Sequence, residues 1–62
     1  MSLGQRLYDL RKITGLSQEK AAEQLGVTRQ TVSKWETDQT TPDFDKIIPI
    51  CKLYNITAAE LF

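Results

Sequence analysis

The side chains with the most chemistry to offer lie between Gln18 and Thr37, in the run QEKAAEQLGVTRQTVSKWET. On a helical wheel Gln30, Ser33, Lys34 and Thr37 share one side, with Arg29 on its flank. Val32 and Trp35 fall on the opposite side, with Thr28 and Thr31 nearby. The polar side therefore carries an amide, hydroxyls, an ammonium and a guanidinium. These groups distinguish nucleobase edges by hydrogen bonding: Arg or Lys with guanine, Gln with adenine, Ser or Thr with either. An ordinary solvated face is also polar, but it favours Glu–Lys pairs four residues apart, and this face has none.

Covalent chemistry has little to work with. The chain has no histidine, no cluster of metal-ligating residues and no glycine-rich phosphate loop. Asp43 and Asp45 read as helix-start residues rather than an acid–base pair. No enzyme, catalytic residue, metal or cofactor is expected. With 62 residues there is room for one domain, 1–62, burying only about 60% of its unfolded surface. Hydrophobic content of 40% and charged content of 26% fit an ordered domain. No apolar run approaches the roughly 18 residues of a membrane span, and MSLGQRLYDL has no signal-peptide core. The lone Cys51 cannot form an internal disulfide, which suits a reducing cytoplasm. It reads as a small core residue.

The elements that position the polar face follow from caps and periodicity. Ser2, with Gln5 as a capping-box partner, opens a first helix whose apolar face is Leu3, Leu7 and Leu10, with Ile13 or Thr14 next. Gly15 is placed to end it, and Gly4 weakens its first turn. Ser17 caps a second helix, with Glu19 in its first turn and Ala21, Ala22 and Leu25 facing inward. Gln18 follows the cap, where free N–H groups favour a phosphate. Gly26 supplies a turn, Val27 plugs it, and Thr28 caps the next helix, which runs to Glu36. Two short helices joined by a glycine turn form a helix-turn-helix.

A polar loop, TDQTTPD, follows. Asp43, or Thr41 with Pro42, starts a fourth helix with Phe44, Ile47, Ile48, Cys51 and Tyr54 at helical spacing. Pro49 should bend that helix or delay its regular part. Asn55 ends it, Ile56 packs beneath, and Thr57 with Glu60 makes a capping box for a last helix, TAAELF. Leu61 and Phe62 read as core or interface. The absence of a tail after Phe62 suggests a domain cut from, or lacking, a larger effector or dimerisation region. Tyr54, Ile56 and Phe62 offer an alternative dimer contact.

Eight basic and eight acidic residues cancel, whereas a basic excess is the usual footprint of a nucleic-acid binder. The charges are segregated along the chain, however. Arg29 and Lys34 face no acid on their helix until Glu36. The expectation is a polarised surface with modest monomer affinity.

The stretch resembles the phage-repressor and Cro-like helix-turn-helix family, often called the XRE family. The resemblance is carried by Gln18, Ala22, Gly26, Val27, Thr28, Val32, Trp35 and Glu36, and extends through PDFDKIIPICKLYNITAAELF. It implies an all-α, compact five-helix lambda-repressor-like bundle that binds pseudo-palindromic double-stranded operators as a homodimer. The implied function is sequence-specific DNA binding by a prokaryotic or phage transcriptional regulator, a repressor, with the helix Thr28–Glu36 in the major groove. The implied base-reading positions are Thr28, Arg29, Gln30, Ser33 and Lys34. The implied phosphate-contacting positions are Gln18, the loop Thr37–Gln39 and Lys46. Arg11 is implied to pair with Glu36. Where the family often has Asn-Gly after the acid, this chain has Thr37-Asp38, so the loop is expected to differ in shape, and Asp38 to repel phosphate unless it points away. The competing expectation is a protein-interaction module on the same scaffold, an antitoxin or bridging factor.

Overall fold

The side chains that start and stop the helices explain most of the architecture. A computed structural model describes all 62 residues. It holds five helices: α1 Leu3–Thr14, α2 Gln18–Leu25, α3 Arg29–Glu36, α4 Phe44–Tyr54 and α5 Ala58–Leu61. Ser2, Ser17, Thr28 and Thr57 accept the backbone N–H groups of Gln5, Lys20, Thr31 and Glu60, so each satisfies a donor the helix leaves free. Thr57 and Glu60 complete a reciprocal capping box. Ser2 and Gln5 make only half of one, because the Gln5 amide donates to Asp9 Oδ1 at 3.0 Å instead. Asp43 stands at the N-cap of α4 without a side-chain capping bond.

The first four helices end alike. A left-handed residue follows directly after α1, α2 and α4, Gly15 at φ 84°, Gly26 at 70° and Asn55 at 56°, and one residue later after α3, where Asp38 at 62° comes behind Thr37. The next residue returns its N–H to the carbonyl five positions back: Leu16 to Arg11, Val27 to Ala22, Gln39 to Lys34 and Ile56 to Cys51. This is the Schellman arrangement, which satisfies the last carbonyls of a helix.

Leu7, Ala22, Leu25, Val32, Trp35, Ile50, Tyr54 and Leu61 form one buried cluster. Ala21 and Ala22 are almost wholly enclosed, and their small side chains let neighbouring helices approach α2 closely. Leu7, Ile50 and Leu61 are fully buried, each contributing about 1.5–3 kcal/mol of apolar transfer.

Two faces differ from the sequence expectation. On α1 the stripe continues from Leu7 to Arg11, which is buried, while Ile13 is 82% exposed and Thr14 is also exposed. Ile13 lies about 120° around the helix from Leu7, so only an ion pair, not periodicity, reveals the fourth inward position. On α4 the enclosed line is Ile47, Ile50 and Tyr54, whereas Phe44 and Ile48 stand 91% and 65% exposed. Ile47, Cys51 and Tyr54 pack as the spacing requires, and Ile50, outside the expected set, is the most deeply buried residue of the helix. Tyr54 is thereby core and does not serve a surface contact, while Phe62 is exposed. Pro49 removes one backbone donor, yet α4 starts at Phe44 and continues through it to Tyr54. No helix is long and apolar enough to cross a membrane.

Candidate nucleic-acid interface

α2, the turn at Gly26 and α3 form the helix-turn-helix. Val32 and Trp35 fasten α3 to the core from behind, at 2% and 6% exposure. That orientation leaves Gln30 and Lys34 exposed and Ser33 half-buried on the outer face. Arg29, Gln30, Ser33, Lys34 and Gln39 line one open depression that contains no apolar side chain.

A buried ion pair fixes the other end of this assembly. Arg11 Nε and Nη2 donate to the two carboxylate oxygens of Glu36 at 2.7 and 3.0 Å, and Arg11 Nη1 donates to the Leu16 carbonyl at 2.8 Å. The forked geometry matches both planar groups and is the stronger form of such a pair. The hydrogen bond to Glu36 holds the Arg11 guanidinium above its ordinary pKa, against the opposing effect of burial. Beside it the Tyr54 phenol is pushed up to about 12, first by burial and then by the Glu36 carboxylate, with Arg11 opposing. Because Arg11 neutralises Glu36 inside the fold, the exposed face of α3 carries Arg29 and Lys34 with no acid among them.

Gln18 joins this pair to the outer face. Its amide N–H donates to Glu36 Oε1 at 3.1 Å, and its carbonyl oxygen accepts from Arg29 Nη1 at 3.4 Å. Half-buried Gln18 thus sits beside the depression, at the first turn of α2. Thr28 has its hydroxyl engaged by the Thr31 N–H and the Thr31 hydroxyl. Thr37 donates its hydroxyl proton to the Ser33 carbonyl at 2.9 Å and accepts from the Gln39 amide at 3.0 Å. Lys46 stands apart from the other candidates. Its ammonium donates to the Leu25 carbonyl at 3.1 Å. A cation at the N-terminus of α4 is unfavourable there, and placing it on the C-terminal end of α2 reverses the sign of the dipole interaction.

Sequence reasoning missed one contact. Gly4 N–H, at the start of α1, donates to Asp38 Oδ1 at 2.9 Å, so the Asp38 carboxylate points toward α1. Gly4 is not merely a weak spot in the first turn. A Cβ there would lie 2.6 Å from both Asp38 Oδ1 and the Trp35 carbonyl oxygen. One signal was available: α1 has no acidic residue in its own first turn, which leaves its N-terminus open to an outside carboxylate.

Known proteins share this fold. The sequence pattern described as helix-turn-helix matches residues 7–61. Over 61 residues the chain is 39% identical to the HTH-type transcriptional regulator ImmR of Bacillus subtilis, covering 98% of this chain and 48% of ImmR. The restriction-modification controller protein C.AhdI from Aeromonas hydrophila superposes with a TM-score of 0.88 at 37% identity, over 97% of this chain and 91% of that one. The P22 c2 repressor, crystallised in complex with a synthetic operator, superposes with a TM-score of 0.94 over 100% of this chain and 94% of the repressor chain. At 22% identity that likeness concerns the fold alone. The chain spans about half or less of the curated relatives it first matches, 48% of ImmR and 30% of the activator BcrR of Enterococcus faecalis.

Proposed function

Since the chain belongs to the helix-turn-helix family, we propose that it is the DNA-binding domain, 1–62, of a prokaryotic or phage transcriptional regulator. The supporting observation is the depression formed by Arg29, Gln30, Ser33, Lys34 and Gln39 on the outer face of a helix anchored by Val32 and Trp35. α3 enters the major groove of double-stranded DNA. Arg29, Gln30, Ser33 and Lys34 meet base edges there, with Thr28 at the helix start. Gln18, Thr37, Gln39 and Lys46 border the phosphate backbone. Two chains bind a two-fold symmetric operator, which doubles a small reading surface without enlarging the fold. Repression is the outcome that needs occupancy alone. No catalytic step belongs to this domain, and its place is the cytoplasm.

A salt titration tests the proposal. Lys46 borders the backbone, and the cationic base-readers Arg29 and Lys34 lie in the same phosphate field and displace counterions as well. Each phosphate neutralised adds about −0.9 to the slope of log affinity against log salt, so the slope should be about −3 per chain. A domain that holds no duplex at low ionic strength, even as a pair, overturns the assignment. Binding of a protein partner that is indifferent to salt would favour an interaction module, for which exposed Phe44 and Ile48 supply an apolar surface.

A further inference from the structure

Three of the four Schellman ends place an apolar residue after the left-handed position: Leu16, Val27 and Ile56, all packed against the core. Such a contact commonly accompanies this motif and helps to hold it. The end of α3 is the exception. Its residue is Gln39, which is polar, exposed, and part of the depression. The backbone geometry is nevertheless kept, with Gln39 and Thr40 N–H both donating to the Lys34 carbonyl, at 2.9 and 3.3 Å.

Something other than an apolar anchor must hold this end: within the loop the Gln39 amide donates to the Thr37 hydroxyl at 3.0 Å, and one contact ties the loop to another helix. Asp38 occupies the left-handed position at φ 62°, where any residue but glycine is strained, Asp and Asn least. Its carboxylate accepts Gly4 N–H across 34 residues of chain. A charge-assisted bond to a free helix-start N–H is worth more than a neutral one. The close approach is possible because residue 4 has no side chain.

We infer that Asp38 and Gly4 form a latch that replaces the missing apolar anchor and holds Gln39 in place beside Arg29, Gln30, Ser33 and Lys34. Asp38 is a positioning residue: it sets affinity for DNA through the loop. The same contact turns a carboxylate away from the phosphate path. The inference about affinity rests on the DNA-binding proposal above; the latch itself does not.

Asp38→Gly tests it without endangering the fold, because glycine adopts the left-handed turn freely. Amide exchange at Gln39 and Thr40 should accelerate about three- to fivefold: losing the hydrogen bond alone is worth about tenfold, and relief of the left-handed strain at position 38 offsets part of it. The Leu16 amide, in the equivalent position after α1, should keep its rate. Asp38→Asn retains the acceptor oxygen and should retain slow exchange. Affinity for duplexes that the unmutated chain selects from a random pool should fall about three- to tenfold in Asp38→Gly. It should fall no further when the same change is made in a Gln39→Ala background, since residues that act through one another are not additive. Unchanged exchange in Asp38→Gly overturns the latch. Accelerated exchange with an equal affinity loss in both backgrounds overturns its action through Gln39. If the unmutated chain holds no duplex, the DNA-binding proposal and the affinity claim fall together, and exchange still decides the latch.

Discussion

Glu36→Gln probes the bond on which the helix-turn-helix is hung. The carboxylate accepts three side-chain hydrogen bonds: Arg11 Nε at 2.7 Å, Arg11 Nη2 at 3.0 Å and Gln18 Nε2 at 3.1 Å. The two charged side chains are only 8% and 3% exposed. An amide of the same shape has one acceptor oxygen, and its NH2 group would face donors. More important, it leaves the Arg11 guanidinium buried without a counter-charge. Removing one member of a buried pair costs about 3–5 kcal/mol. A domain of 62 residues has a total stability of about 3–9 kcal/mol. The variant should therefore lie at the edge of unfolding at room temperature. Urea titration with linear extrapolation measures the loss directly. Replacing both charges, as Arg11→Met with Glu36→Leu, should recover part of it, because the stranded charge disappears. A second readout follows from the pKa shift at Tyr54, to which the Glu36 carboxylate contributes upward and Arg11 downward. In Glu36→Gln, if enough folded protein remains, the Tyr54 phenol should ionise at lower pH than in the parent. A loss below about 1 kcal/mol, the range of exposed pairs, would refute the idea that this pair is enclosed and essential.

Four further outcomes are expected. Gln30→Ala should relax preference at one operator position by about 1–3 kcal/mol, read by selecting duplexes from a random pool; an unchanged selected sequence would move Gln30 off the bases. Lys46→Met should lower stability by about 0.5–1 kcal/mol without DNA, since its ammonium neutralises the end of α2, and should reduce the salt slope by about one unit; an unchanged melting temperature would place that ammonium in solvent. The phenol of Tyr54, raised from 10.0 to about 12 in the fold, binds its proton more tightly folded than unfolded. Its contribution is therefore complete below pH 10 and should be lost as pH rises toward 12, by up to about 2–3 kcal/mol; Tyr54→Phe should remove that alkaline loss in pH-dependent unfolding. Trp35→Ala should cost about 3–5 kcal/mol of core packing, and a variant with parental stability would show that the indole is not an anchor.

Local signals were legible wherever a single residue type carries the physics. Ser17, Thr28 and Thr57 have side-chain oxygens next to helix starts, and Gly15 and Gly26 can take positive φ, so their places could be read from the chain. The outward set on α3 was legible because two large residues, Val32 and Trp35, left it only one possible face. Legibility failed where the deciding partner is distant. Nothing in FDKIIPICKLY says that Ile50 rather than Phe44 or Ile48 joins the buried cluster with Leu7 and Leu61, because apolar residues occur on more than one face of α4. Lys46 illustrates the same limit. Nothing beside it in the sequence announces that its ammonium donates to the Leu25 carbonyl, 21 positions away. Gly4 and Asp38 are 34 positions apart, and neither residue alone announces the contact.

Zero net charge is compatible with the proposed DNA binding because the two acids that flank the proposed reading residues in sequence, Glu36 and Asp38, are engaged elsewhere. Glu36 belongs to α3 and would oppose a phosphate if it faced outward. It lies inside, against Arg11, and its side chain is 3% exposed. Asp38 belongs to the loop that borders the depression, and its carboxylate faces Gly4 N–H. Two negative charges are thereby paired with groups that do not contribute to the surface, a buried guanidinium and a helix start. Arg29 and Lys34 remain without a local opponent. Pairing at short range matters more than the sum over the chain, since charges farther away than about 8–10 Å are screened at ordinary salt. The formal sum weights all sixteen charges equally, whereas a phosphate at the depression is governed by the two cations that line it.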